Sequence, residues 1–493
     1  MKKTFQKVIC AAMILAMALP FAACGNKDEI WSTETTSPED RAFLDPDATT
    51  ITFGVPMFCH FDVEHLKLFN EELLKDGHKY QLKISGFEYD FEDTKYFENI
   101  ENALKNGTVD VAFLGMGDEN NSTYNLINSG AVLKLDEILS SDKGKALYEA
   151  FPSALWEAGK CNGHIYSIPQ ANLDDQGIYA AFNKKYISDE AIENWDGTID
   201  GLYKIIKDVK WNDSAAPRFQ YLISDYDFEP IISCEIKNGL LYDFDTMTIQ
   251  NPLESDKFIN YFKVLEQMKA DGYLAESVSY YQNTSYIDNE TDLSSGNYLV
   301  TLSTGEPNDY FYKDNICIKK LTPYLPARVN TSIGISCNTE KLDAVLDFLG
   351  LFYGEEKYCN LLLYGKQDVD YKLVDGFAVK MDGTELPYDF TTKLSLGLFV
   401  NTHPVVGENF TSNRKEEYFA LYKNAKPSPF IGFIPDSSKY SSVQEDLKAF
   451  LNSLNKQSLD QAIKEYSVKL KADGIDDYVS SVRKQWESYK DNL

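Results

Sequence analysis

The chain has 493 residues, 76 of them Asp or Glu against 48 Lys or Arg, which leaves a formal net charge of −28. So acidic a surface disfavours nucleic acid and anionic lipid, and it argues against a strongly anionic ligand unless a local basic pocket overrides the global field. With 43% hydrophobic residues the chain has material for two or three domains with true cores, and past its first segment no apolar run approaches the ~20 residues needed to cross a bilayer.

Lys2, Lys3 and Lys7 precede an apolar run over residues 8–19, the form of an export signal too short to span a membrane. Ala22 and Ala23 stand directly before Cys24, so cleavage is expected to remove residues 1–23, with three lysines and no acids. The string Phe21-Ala22-Ala23-Cys24, followed by Gly25 and Asn26, resembles the lipobox of bacterial lipoproteins, with Phe where Leu is usual. That resemblance implies a diacylated Cys24, and two acyl chains are roughly what stable membrane anchoring requires. Residues 24–48 have no apolar period and read as a flexible tether. Six cysteines follow (Cys59, Cys161, Cys234, Cys317, Cys337 and Cys359), with no CxxC pair. They are spread too widely for a zinc module or a small disulfide scaffold, which leaves buried free thiols or one or more disulfides.

The body opens with Ile51, Phe53 and Val55 alternating as a strand, then a loop over residues 56–61. A helix is predicted next, with Asp62 as N-cap, an apolar face of Val63, Leu66, Phe69, Leu73 and Leu74, and Gly77 as its stop. Tyr80, Leu82 and Ile84 alternate as a second strand. Residues 94–106 carry Phe97, Ile100 and Leu104 at helical spacing before Gly107, and residues 109–114 form an apolar third strand. This β-α-β-α-β order predicts a parallel sheet covered by helices. Such sheets bind ligands beyond the carboxyl ends of their strands, which singles out the loops 56–61 and 115–121. Further on, residues 256–271 read as a helix and 297–302 as a strand. The runs 163–170 and 296–303 look like extended segments where the chain crosses between two halves, and 441–492 is helical by period with a break at Gly474.

Several runs, in this order, resemble the extracellular solute-binding proteins of family 1, particularly the lipoprotein branch of sugar-importing Firmicutes. They are residues 103–111, 130–136, Trp156 with 162–169, 183–186, 361–365 leading to Tyr371-Lys372, Gly432-Phe433, and 472–476 with Gln485-Trp486. The resemblance implies an α/β, two-lobed periplasmic-binding-protein-like fold of type II with a hinge between lobes. Lobe 1 is expected from 49–168 and 298–345, and lobe 2 from 169–297 and 346–493 with the C-terminal helices. It further implies a carbohydrate, mono- or oligosaccharide, captured by hinge closure and handed to the permease subunits of an ABC importer. A lipid-anchored monomer at the outer face of the cytoplasmic membrane is expected, without cofactor, metal or nucleic acid.

A sugar asks for aromatic faces and planar amides or carboxylates, since an unmatched buried hydroxyl costs ~1–3 kcal/mol. The first loop offers Phe58, His60 and Asp62, although a helix cap explains Asp62 equally well. The third strand's loop offers Asp118 and Asn120, which also suit a turn. Gln170, Asn172, Asp174 and Asp175 follow the first expected crossing, and Glu306 and Asn308 follow the second. Trp211 and Tyr226 stand out among the aromatics for their polar, loop-like neighbours.

Enzyme chemistry finds little support. There is no GxSxG elbow and no phosphate loop, and Gly115-Met116-Gly117 lacks the third glycine of a dinucleotide fingerprint. His60 and His65 form HxxxEH, five residues apart and unable to share one helical face as a metal pair. Asp225, Asp227 and Glu229 alternate but lack the glycine and spacing of a calcium loop. Paired carboxylates of a glycoside hydrolase need only two acids, so their presence here discriminates nothing. A secreted hydrolase, or an adhesin or signalling co-receptor on the same fold, remains the alternative.

Overall fold

A computed structural model describes residues 44–490 except 58, 60, 89–94, 117–121, 170–177, 210–217, 223–232, 274–297, 305–315, 321–323, 326–330, 388, 407–414, 417–418, 421–425 and 438. The alternation of Ile51, Phe53 and Val55 buries all three in β1 (Thr49–Pro56), which pairs in parallel with β2 (Tyr80–Phe87) and β3 (Val111–Met116). Helix Val63–Lys75 returns the chain from β1 to β2. Asp62 caps it, its Oδ1 accepting from the Glu64 and His65 amides at 2.8 and 3.3 Å. Gly77, at φ 95°, ends it through the left-handed backbone that a glycine adopts freely. Buried Asn70 staples the helix to β2, donating to Leu82 O at 2.9 Å and accepting from Leu82 N at 2.7 Å. The second helix is Lys95–Lys105. There Tyr96, not Phe97, is fully buried and donates its hydroxyl to Phe113 O at 2.9 Å, because a buried phenol needs a partner and the β3 carbonyl supplies one.

Short helices lead to a hairpin of β4 (Lys160–Cys161) and β5 (His164–Ile165), then β6 (Ile168–Pro169). β15 (Thr331–Ile335) comes back antiparallel between β3 and β6, so the first sheet has the order β2-β1-β3-β15-β6. The second sheet, β13-β7-β12-β8, is built from β7 (Ile178–Asn183), β8 (Arg218–Leu222), β12 (Tyr298–Thr304) and β13 (Ile316–Lys320). β7 is antiparallel to both β12 and β13, and β12 is parallel to β8. A meander of β9 (Cys234–Lys237), β10 (Leu240–Asp243) and β11 (Thr248–Gln250) packs in the same half, beside helix Asp256–Ala270 and the closing helices Ser441–Ser453, Leu459–Ala472 and Ile475–Lys490. Gly474, at φ 86°, makes the expected break between the last two.

The two largest cores lie one in each half, with a smaller cluster around Tyr96 and Phe113 also on the first sheet, and the membership of the halves differs from the sequence expectation in two places. Residues 298–345 do not all join the first half: β12 and β13 pair with β7, and only after Lys320 does the chain return to the first sheet through β15. The described part of the expected second crossing, residues 298–303, is therefore a strand of the second sheet, while the outward passage falls between β6 and β7. Residues 346–493 also divide. Helices Leu342–Gly354 and Glu356–Tyr364 belong to the first core, because Phe348, Phe352 and Tyr358 surround Phe69 edge-on at 6.5, 6.1 and 6.0 Å between ring centroids. The chain joins the second core again from Phe430 onward. None of the six cysteines is in a disulfide.

Candidate functional site

Strand direction brings the chain's loops to one edge of each sheet. In the first, the ends of β1 and β3, the start of β15 and the end of β6 lie together, with Thr331 opposite Met116 and Ser332 opposite Pro169. In the second, Thr304 lies opposite Ile178, Leu222 opposite Ser303 and Lys320 opposite Tyr179, so β8, β12 and β13 end where β7 begins. Residues 170–177 join the two edges directly, and even a fully stretched link of that length reaches only about 30 Å. A second pair of passages is tied by β14 (Tyr324–Leu325), which runs parallel to β16 (Lys426–Pro427). The halves also touch through the β4–β5 hairpin, where Asn162 N donates to Gly432 O at 2.8 Å. Gly432 has φ 73°, and a Cβ there would stand 2.9 Å from Tyr489 Oη and 3.0 Å from Lys160 O, so only glycine lets the backbones meet.

The loops that carry Phe58 and His60, and Asp118 and Asn120, follow β1 and β3. Gln170, Asn172, Asp174 and Asp175 lie in the link between β6 and β7. Tyr226 follows β8, and Glu306 and Asn308 follow β12, whereas Trp211 precedes β8 in the chain. All twelve lie outside the described residues, as does Cys24. Asp62 is described. It is exposed, and its carboxylate is engaged as the helix cap.

The described part of the first edge is floored by helix Phe390–Leu396, capped by Asp389, whose Oδ1 accepts from Thr392 N at 3.0 Å. Cys59, just past β1, directs its thiol at Thr391 O, 3.8 Å away, which fixes the helix to this edge. Burial pushes the Cys59 thiol well above its ordinary pKa, so it is a neutral packing group. The same stretch buries Thr392, Lys393, Ser395, Asn401 and Thr402. Lys393 Nζ lies 5.5 Å from the centre of the Tyr364 ring, and the Tyr364 hydroxyl donates to His403 O at 3.0 Å. Tyr371 packs against Tyr364 at 5.6 Å, and burial pushes its phenol up to about 12, which keeps it a proton donor. Asn401 Oδ1 and His65 Nδ1 are buried without a hydrogen-bond partner, and Ser395 Oγ has only the weak thiol of Cys59 beside it. Gly365, at φ 78°, makes room for His65, whose Nε2 would lie 2.7 Å from a Cβ there.

Sequence reading missed His65 as a site candidate, and Lys393, Ser395 and Asn401 altogether. A seven-residue helix with no apolar stripe gives no local signal, and its position under β1 and β3 is fixed only by contacts distant in sequence. What the edge offers is a set of buried donors and acceptors, with Tyr364 and Tyr371 packed behind them at 7% and 3% exposure. Among the described residues no group of His, Cys, Asp and Glu is arranged to hold a metal.

No family model and no curated protein matches the chain. Solved structures do. An N-glycan transport solute-binding protein from Streptococcus pneumoniae is similar over 90% of this chain and 99% of its own, with TM-score 0.63 at 21% identity. A human-milk-oligosaccharide-binding solute-binding protein associated with an ABC transporter of Bifidobacterium longum infantis gives 0.54 at 16%, over 90% of this chain and 99% of its own. The S. pneumoniae ABC-transporter substrate-binding protein FusA, in complex with kestose, gives 0.52 at 14%, over 90% of this chain and all of its own. The chain has the two-lobed fold of these solute-binding proteins.

Proposed function

We propose that the chain is an extracellular solute-binding lipoprotein of family 1 that captures an oligosaccharide between its two sheet edges and delivers it unchanged to an ABC permease. The observation that carries this reading is likeness over nine-tenths of the chain to solute-binding proteins, among them one for N-glycan transport, one that binds human milk oligosaccharide and one solved with kestose. Two features of the chain support it. The end of β6 and the start of β7 are joined by only residues 170–177 in the chain, and the described floor of the first edge carries buried polar groups, the chemistry that sugar hydroxyls need. The two halves close on the solute about a hinge, and the diacylated Cys24 holds the molecule at the membrane.

Calorimetric titration of the purified chain with N-glycan fragments, fructo-oligosaccharides and human milk oligosaccharides tests the reading. At least one class should bind, raise the melting temperature and be recovered intact. Binding of peptides alone, or release of shortened sugars, sinks it.

A further inference from the structure

The β4–β5 hairpin of the first half sits against the loop 428–433 of the second, and neither side of this contact is slack. On the first half, Leu135 N donates to Ile165 O at 2.7 Å and Ile165 N donates to Asp136 Oδ2 at 3.2 Å, and Ile165 is itself part of the first core. On the second, the Tyr489 hydroxyl donates to Ile431 O at 2.9 Å and Lys237 Nζ donates to Phe433 O at 2.8 Å. Trp486 packs on Phe430 and Phe433 at 4.7 and 5.1 Å between ring centroids, which fixes the same loop to the second core. Between these two fastened walls Asn162 N donates to Gly432 O at 2.8 Å, across a gap that admits no Cβ on residue 432. Cys161, 3% exposed, lies within electrostatic reach of Lys237 and Tyr489 from the other half.

Place matters as much as fastening. The loop 428–433 follows β16 directly, and β16 lies beside β14, where two passages between the halves run side by side. Gly432 comes five residues after Pro427, so it stands within about 18 Å of that strand pair even along a stretched chain. A contact so near the joined passages travels a short arc as the halves rotate. Two close-packed walls that touch through backbone also leave no flexible part that could stretch to follow a wider movement.

We infer that the β4–β5 hairpin seated on Gly432 is the pivot of the two halves, a contact kept both when they stand open and when they have closed on a solute. The inference rests on the closing motion proposed above and adds where that motion turns. It also makes the contact neutral to affinity, because an interaction present alike in both forms shifts no equilibrium between them.

The test reads the contact in both forms of the full chain, with whichever N-glycan fragment, fructo-oligosaccharide or milk oligosaccharide binds in the titration above. Hydrogen exchange resolved at the Asn162 amide should show protection that agrees within about threefold with and without the sugar. Tyr489→Phe removes one fastening of the loop. It should lower the melting temperature of the free and the sugar-bound chain by the same amount, about 1–2 °C, and leave sugar affinity within about twofold. An Asn162 amide that exchanges freely until sugar binds, or a tenfold loss of affinity in Tyr489→Phe, would make the contact a latch formed on closing and overturn the pivot alone. A radius of gyration in small-angle scattering that does not fall as sugar binds would remove the motion, and with it both the pivot and the closing mechanism. Where no sugar binds, the carbohydrate reading fails, while exchange at Asn162 in the free chain still decides for or against the pivot.

Discussion

The two edges of the first sheet treat buried polar groups in opposite ways. At the edge where the strands begin, Asp110 is 1% exposed and fully answered. Thr52 N and Lys341 Nζ each donate to its Oδ2 at 2.9 Å, and the Thr339 hydroxyl donates to its Oδ1 at 2.8 Å. Lys341 also donates to Thr50 O at 2.8 Å, so one carboxylate ties β1, β3, the turn after β15 and the start of helix Leu342–Gly354. At the edge where β1 and β3 end, Asn401 Oδ1 is equally buried and has no partner, and Ser395 Oγ has only the weak thiol of Cys59 beside it. A folded protein rarely leaves buried polar atoms unanswered. The contrast teaches which edge holds the sheet together and which keeps its capacity for something else.

The largest effect is expected from breaking the first edge. Asp110→Ala strands the Lys341 ammonium and the Thr52 amide, and should cost about 3 kcal/mol. Urea unfolding would register this as a lower midpoint at unchanged slope, with glycan affinity within about twofold of wild type. A loss below about 1 kcal/mol would mean that the network is ornament and the contrast between edges empty.

Ser395→Ala sharpens the comparison from the other side. It removes a buried hydroxyl whose one neighbour is the weak Cys59 thiol, so stability should hold to within about 1 kcal/mol, while glycan affinity falls by about tenfold. Thermal melts and calorimetry on the same preparation separate the two readouts. A destabilised variant with unchanged affinity would show that Ser395 belongs to the fold alone and that the ligand edge lies elsewhere.

How much of this was legible depends on whether the cause is local. The period of Ile51, Phe53 and Val55, the stripe through Phe69 and Leu73, and the Asp62 cap are set by neighbours within a few residues, and the structure has them where the sequence predicts. The first sheet's two loops follow from the same reading. The sheet membership of β12 is not local. Val300 pairs with Phe182, and nothing near residue 300 distinguishes that partner from one in the first sheet. Asp110 sits in a run that carries the family resemblance, yet its role depends on Lys341 and Thr339, far along the chain. Ser395 is one polar residue among many until helix Phe390–Leu396 is seen under β1 and β3.

The smallest effect concerns charge on the exposed side of the strand-beginning edge. Lys357 reaches Asp76 Oδ2 at 2.6 Å and Glu72 Oε1 at 2.8 Å, and Tyr358 donates to the same Asp76 oxygen at 2.6 Å. The Lys357 ammonium holds both carboxyls below their ordinary range, with Tyr358 assisting at Asp76 and Lys75 at Glu72. A carboxyl depressed in the folded state contributes its stability in full above the unfolded pKa, near 4, and loses it as pH falls through the lower folded value. Lys357→Met should therefore lower the melting temperature slightly at pH 7, since exposed pairs are weakly coupled. The difference from wild type should shrink steadily below about pH 4 and vanish near pH 2. A difference that stays constant across that range would assign the effect of Lys357 to its aliphatic packing on Tyr358, and would confine the answered charges of this edge to Asp110.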